Sequence, residues 1–456
     1  MSKSLFNEFE PVSAKAWKQK IQTDLKGADY NKTLVWNSLE GIDVKPFYHT
    51  DDFKEFPNVS STKVTTWKIC QSIFVANTEK SNAKAIDALQ RGAESIKFII
   101  PTTKVSIEAL LKNIDLASSP IFFELRFLSK RFVKTLSALS SKAYIYINTD
   151  IIGNLAKTGN WFTNLKEDYN ALEIMIKNSG VLMSSLSINV SLYQNAGATI
   201  IQQLAYALAH ANEYLNHYDD KIRNNITFNV SVGSNYFFEI AKLRALRLLW
   251  KTLASEYGIK SDCHIIVTPS KRNKTLYDYN TNMLRTTTEC MSAILGGANT
   301  ICNLPYDAIY HKDNEFGERI ARNQLLILKH ESYFNAVNNP ADGSYYIEKL
   351  TQQFAKKGLL LFKDIELNGG FLKQLKDGTI QRKIKASATL EQEQIDKEKL
   401  ILLGTNKHLN PNDKMTNELE LYPFVKTNPR KTLIEPILEK RLSEKLEQER
   451  LKIEKK

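Results

Sequence analysis

From residue 67 onward, eight short β-rich runs alternate with longer stretches of helical period. The runs lie at 67–73, 95–100, 121–127, 144–148, 186–191, 226–232, 264–269 and 299–304. Helical spacing of apolar residues fills 82–91, 106–116, 196–218, 236–256 and 282–295. Strands that alternate with helices predict a parallel sheet covered on its outer face. Eight such units predict closure into a (β/α)8 TIM barrel, so the fold class is α/β. After the eighth run, 316–329 reads as the last barrel helix. Pro340, Asp342 and Gly343 mark a turn, and 345–367 is a helix closed by Gly369 and Gly370. A further helix is predicted over 390–403. The expected division is an N-terminal arm (1–60), the barrel (61–338), a helical extension (339–405), and a linker with a charged amphipathic tail (406–456).

Ser13 can cap a helix that carries Trp17, Ile21 and Leu25 on one face, and Gly27 ends it. That stripe has to bury against something, either its own barrel or a partner chain. The tail repeats the question at its own end. Pro411, Pro423 and Pro429 punctuate the linker, and Ile434, Leu438, Leu442 and Leu446 recur near helical spacing. It reads as a solvated helix or as a contact helix for a partner.

Composition excludes several classes. No apolar run reaches the roughly 18 residues of a membrane helix, and the polar stretch at 1–10 has no signal-peptide core. No membrane association is expected, and a cytoplasmic location is. The net charge of +12 raises nucleic-acid binding, but lysines are interleaved with glutamates, as over 435–456, so none is expected. Cys70, Cys263, Cys290 and Cys302 are far apart in the chain and form no C-x-x-C pair, so reduced thiols are expected rather than a metal site or disulfide frame.

Barrel chemistry sits at the C-terminal ends of strands. There the chain offers Gln71 and Ser72, then Asn189 to Leu192, then Ser231, Val232 and Gly233, and finally Asn303. Asp150 is one carboxylate without an obvious second. His264 starts a strand, at the wrong end for catalysis, and reads as structural. Asp262-Cys263-His264 spells the opening of a D-x-H-x-x-G loop, but Val267 stands at the glycine position and the residues run on into a strand. No phosphate loop, zinc helix or nucleophile elbow is present.

Several segments resemble the methylmalonyl-CoA mutase family. They are Asp24-Leu25-Lys26-Gly27-Ala28-Asp29-Tyr30 with Glu40-Gly41-Ile42, Asn195-Ala196-Gly197-Ala198-Thr199, the run 240–250 from Ile240 through Arg244 to Trp250, 283–289, 319–324, and 342–348. The resemblance covers about 10–405. It implies a substrate-binding barrel that interconverts (R)-methylmalonyl-CoA and succinyl-CoA through radicals from adenosylcobalamin. It also implies that catalytic chains bear a separate flavodoxin-like cobalamin domain after the barrel.

The departures redirect that implication. The family's catalytic chains carry a Tyr-His pair where this sequence has Ser191 and Leu192. They also carry an arginine and a tyrosine where it has Cys70 and Ser72. Losing one positioned electrostatic donor costs about 10²–10³ in rate. About 50 residues follow residue 405, whereas a flavodoxin-like domain needs on the order of 100, so no complete cobalamin domain is expected. The resemblance therefore implies a small, non-catalytic subunit, itself without catalytic, cofactor-binding or metal residues. It would pair as a heterodimer with a large subunit that holds adenosylcobalamin and the acyl-CoA substrate. Trp17, Ile21 and Leu25 are its candidate interface. The alternative is a catalytic acyl-CoA mutase barrel served by a separately encoded cobalamin protein. A third reading is a repurposed barrel using Asp150 with His217 or His264, for which no spacing argues.

Overall fold

The computed structural model describes residues 8–55, 64–139, 143–180, 182–218, 222, 226–426 and 430–454. The arm carries a two-stranded antiparallel hairpin, β1 (Trp36–Asn37) and β2 (Asp43–Val44), turned at Gly41 with φ +63°. The barrel strands follow: β3 (Lys68–Phe74), β4 (Ser95–Ile100), β5 (Ile121–Leu125), β6 (Ile145–Asn148), β7 (Leu186–Asn189), β8 (Ile226–Val232), β9 (His264–Pro269) and β10 (Thr300–Cys302). Every neighbouring pair is parallel, in the order β6-β5-β4-β3-β10-β9-β8-β7. A bridge between Tyr146 and Ser184, with Ile147 N–H donating to the Ser184 carbonyl at 2.8 Å, brings β6 against the segment leading into β7. The eight predicted strands thus form a nearly closed (β/α)8 barrel.

Side-chain alternation explains why this closure is stable. Outward positions such as Ile96, Phe98, Ile121, Phe123, Ile188, Phe228 and Val230 are buried beneath the surrounding helices. Inward positions form an apolar floor of Cys70, Phe122, Tyr146, Ile266 and Cys302. Above that floor the inward residues are mainly polar: Ser72, Lys97, Glu124, Asn148, Asn189, Asn229, Ser231 and Thr268. A barrel interior is usually filled by layers of bulky branched residues. Here the upper layers leave space.

The structure moves several predicted boundaries. The run 186–191 stops as a strand at Asn189, because Val190 takes helical φ and ψ (−72°, −25°) and a short helix Ser191–Asn195 begins. The helix placed at 390–403 is Thr379–Asp396, opened by Gly378 at φ +72° and ended where Glu398 takes φ +53°. The tail is not one helix. Among its described residues, only Glu444–Glu454 is helical. Pro436 has no N–H and disfavours helix at the preceding residue, so the segment before the helix runs extended and bonds to the barrel instead of to itself. Leu433 N–H donates to the Gly159 carbonyl, Ile437 to Ala156, Lys440 to Asn195 and Leu442 to Arg272, at 2.7–3.0 Å. This strap crosses loops at the C-terminal end of the barrel. Arg441 locks it, bonding Ser443 at 2.7 Å, Glu447 at 2.6 Å and the Lys274 carbonyl at 3.0 Å. The arm–barrel boundary at 60/61 and Pro429 lie outside the described residues. Among the described residues, no helix is long and apolar enough to cross a membrane.

Candidate functional site

A cavity of about 430 Å³ opens at the C-terminal end of the strands. It collects residues that are scattered in sequence: Gln71 and Ser72 from β3, Asn189 from β7 and Ser191 after it, Ser231 from β8, Asn303 after β10, and Asp150. Sequence reasoning had found those. It had missed Lys97 and Glu124, which meet at 2.8 Å inside the barrel, and Arg126, which reaches the other Glu124 oxygen at 2.9 Å. Lys97 and Glu124 each stand as a charge in a mostly apolar strand, a pattern that reads as solvent-facing until the barrel closes. Burial opposes ionisation of Glu124, but Lys97 and Arg126 hold its pKa down at about 2. The cavity therefore carries fixed charges of both signs. Glu439 of the strap lines its rim and accepts from Asn195 at 3.1 Å.

Asp150 caps the helix Ile151–Thr158 and makes four bonds. One oxygen accepts from Gly153 N–H at 2.7 Å and the Tyr214 hydroxyl at 2.8 Å, and meets His210 Nε2 at 2.9 Å. The other accepts from Asn189 N–H at 2.8 Å. Its histidine is thus His210, neither His217, which packs on Tyr169, nor His264. The second nitrogen of His210 is bonded to Tyr193 at 2.8 Å. Burial opposes ionisation of Asp150, but His210 and the amides hold its pKa below the ordinary range. These four bonds pin β6, β7 and the helix Ile200–Tyr218 together, a structural use of the carboxylate.

His264 begins β9 at the opposite end of the barrel. Its ring lies 4.7 Å from that of Tyr146 and 5.4 Å from that of Phe122, and Nε2 shares a hydrogen bond with Thr300 at 3.0 Å. Burial and the Arg247 charge push its pKa down to about 3. A histidine packed inside strands with one nitrogen engaged is structural, not a ligand on a D-x-H-x-x-G loop. Among the described residues, no group of three or more His, Cys, Asp or Glu is arranged to hold a metal. Leu192 is 1 % exposed and points into the hydrophobic core, whereas Ser191 lines the cavity. In the arm, Ser13 caps the helix Ala14–Asp24, none of whose residues is buried. Trp17 is 49 % exposed and touches Phe47 edge-on, and Ile21 and Leu25 are half-buried.

The Methylmalonyl-CoA mutase family model matches residues 110–454. The chain belongs to that family. The methylmalonyl-CoA mutase small subunit of Porphyromonas gingivalis is 35 % identical over 443 residues, covering 89 % of this chain and 71 % of that one. The small subunit of Streptomyces virginiae is 26 % identical over 426 residues, 84 % and 68 % of the two chains. The large subunit of Porphyromonas gingivalis is 31 % identical over 248 residues, 52 % and 35 %.

The segments that carry the mutase resemblance meet one another in space. Arg244 pairs with Asp342 and with Glu348, the latter at 2.7 Å. Gln324 bonds Asn303 at 3.0 Å and Thr287 at 2.7 Å. Glu289 pairs with Lys274 at 2.8 Å, and Glu40 accepts from Ile200 and Ile201 N–H at 2.9 and 3.1 Å. These bonds join helices to helices and the arm to the barrel. The shared motifs hold the frame, while the departures fall on β3 and on the turn after β7.

Proposed function

We propose that this chain is the small, non-catalytic subunit of a two-chain methylmalonyl-CoA mutase. It docks on a large subunit that holds adenosylcobalamin and isomerises (R)-methylmalonyl-CoA to succinyl-CoA. The observation that carries the reading is the set of residues on β3 and on the turn after β7. Where the resemblance implies an arginine, a tyrosine and a Tyr-His pair, this chain has Cys70, Ser72, Ser191 and Leu192, and none of these provides a cation, a phenol or an imidazole. Removing several positioned groups together abolishes useful turnover. The role left for an intact barrel is to stabilise its partner by mass action. The names of the two Porphyromonas gingivalis relatives, one small and one large subunit, support the pairing.

The stripe of exposed Trp17 and half-buried Ile21 and Leu25 supplies the contact in this proposal. Large aromatic anchors contribute most to such interfaces. Co-expression with a large subunit gives a 1:1 complex on size-exclusion chromatography at micromolar protein, with cobalamin absorbance following the large chain. Trp17→Glu lowers that association at least about tenfold. Elution as separate chains refutes the pairing. Production of succinyl-CoA by this chain alone with adenosylcobalamin refutes the non-catalytic role.

A further inference from the structure

We propose that Cys302 and Cys70 form a reactive thiol pair in the barrel, open to small disulfides through the mouth cavity and able to close into a reversible disulfide between the first and last barrel strands. The proposal is independent of the subunit reading.

The two cysteines lie 232 residues apart, yet the parallel pairing of β10 with β3 sets Cys302 directly opposite Cys70. Residues paired in this way point to the same face of a sheet, and neighbouring strands lie about 4.8 Å apart. That spacing falls inside the 4.4–6.8 Å window between Cα atoms that a disulfide requires. Both side chains belong to the same inward cluster. Cys302 lines the cavity together with Ser72 and Lys97, while Cys70 lies in the floor.

This arrangement separates the roles. Three neighbours favour negative charge on the Cys302 sulfur, the Cys70 thiol, the nearby Lys97 ammonium and the Ser72 backbone N–H, against burial and the Glu124 carboxylate. The Cys70 thiol leads in holding its pKa below the ordinary thiol range despite burial. Burial and the neighbouring sulfur push Cys70 the other way, so it stays protonated. A thiolate is the attacking species in thiol–disulfide exchange. Cys263 and Cys290 lack this environment. Burial raises both, and neither lines the cavity.

The co-reactant is a low-molecular-weight disulfide, RSSR. The Cys302 thiolate attacks one sulfur, forming a protein–SR mixed disulfide and expelling RS⁻. The Cys70 thiol loses its proton and attacks the Cys302 sulfur, forming the Cys70–Cys302 bond and expelling the second thiol. Two protein thiols are oxidised, one RSSR is reduced to two thiols, and two electrons pass between them.

The test uses the folded full-length chain and limiting dipyridyl disulfide, with release of thiopyridone followed by absorbance. Two thiopyridones should leave per protein, and digestion should yield a peptide linking Cys70 to Cys302, reversed by dithiothreitol. Cys302 should react at least roughly tenfold faster than Cys263 or Cys290. In Cys70→Ser the reaction should stop at a stable adduct on Cys302 with one thiopyridone released. In Cys302→Ser, Cys70 should remain unmodified. Linkage through any other pair, or equal labelling of all four cysteines in the wild-type chain, overturns the proposal. So does the absence of a linked peptide after thiopyridone release.

Discussion

Arg244 sits in the helix Tyr236–Glu256 with its side chain 1 % exposed, between Asp342 and Glu348. A cation so deeply buried is tolerable only when its partners are in place. Removing one member of a buried pair leaves the others uncompensated and costs about 3–5 kcal/mol. Arg244→Met is expected to destabilise the fold by that order in urea or thermal melts. Arg244→Met combined with Glu348→Leu should recover part of the loss, and an unchanged midpoint in the single variant would contradict the account. The sequence marked Arg244 only as part of a resembling run. Its partners stand 98 and 104 residues away, beyond the reach of any local pattern. Lys97 and Glu124 were hidden for a different reason. A charge within a strand reads as a solvent-facing position until the barrel is closed, and only then does that face become the interior.

At the scale of elements, the arm and the tail are held by opposite means. The arm docks through Glu40, which accepts from the first amides of the helix Ile200–Tyr218, where the helix dipole favours negative charge. Burial nonetheless pushes the Glu40 pKa up from 4.5 to about 7, with Glu239 and Lys242 as its charged neighbours. A folded-state pKa above the unfolded value means that the native state holds the proton more tightly. The stabilising contribution is full below pH 4.5 and is lost as pH rises through about 7. Limited proteolysis of the arm should therefore quicken between about pH 6 and about pH 8, and Glu40→Gln should flatten that dependence. A wild-type rate that is constant over this window would count against the assignment. The strap carries no such dependence in its backbone contacts, five of which join it directly to the barrel. Its apolar spacing suggested a helix because periodicity alone does not weigh Pro436. Ile434 and Leu442 are buried in the extended form just as a helix would have buried them.

For the molecule as a whole, the resemblance resides in the frame and the departures in the mouth. Restoring one group cannot restore a distributed site. Leu192→His places an imidazole in an apolar core rather than in the cavity, at a cost of about 1–3 kcal/mol for an unsatisfied buried polar group. It is expected to lower the melting temperature and to yield no succinyl-CoA when the chain is supplied with adenosylcobalamin. Turnover by that single variant would show that the mouth is more complete than Cys70 and Ser72 allow. The strand and helix periods along the chain determined eight parallel units, and with them the barrel, because an alternating sheet can bury its apolar positions only under flanking helices. The same periods marked Gln71, Ser72, Asn189, Ser231 and Asn303 as neighbours, since a barrel gathers its strand ends. Tertiary structure alone decided that Asp150 belongs to His210, that an extended strap borders the cavity, and that Cys70 lies opposite Cys302. Each of these depends on contacts between residues far apart in the chain, and only closing the barrel brings them together.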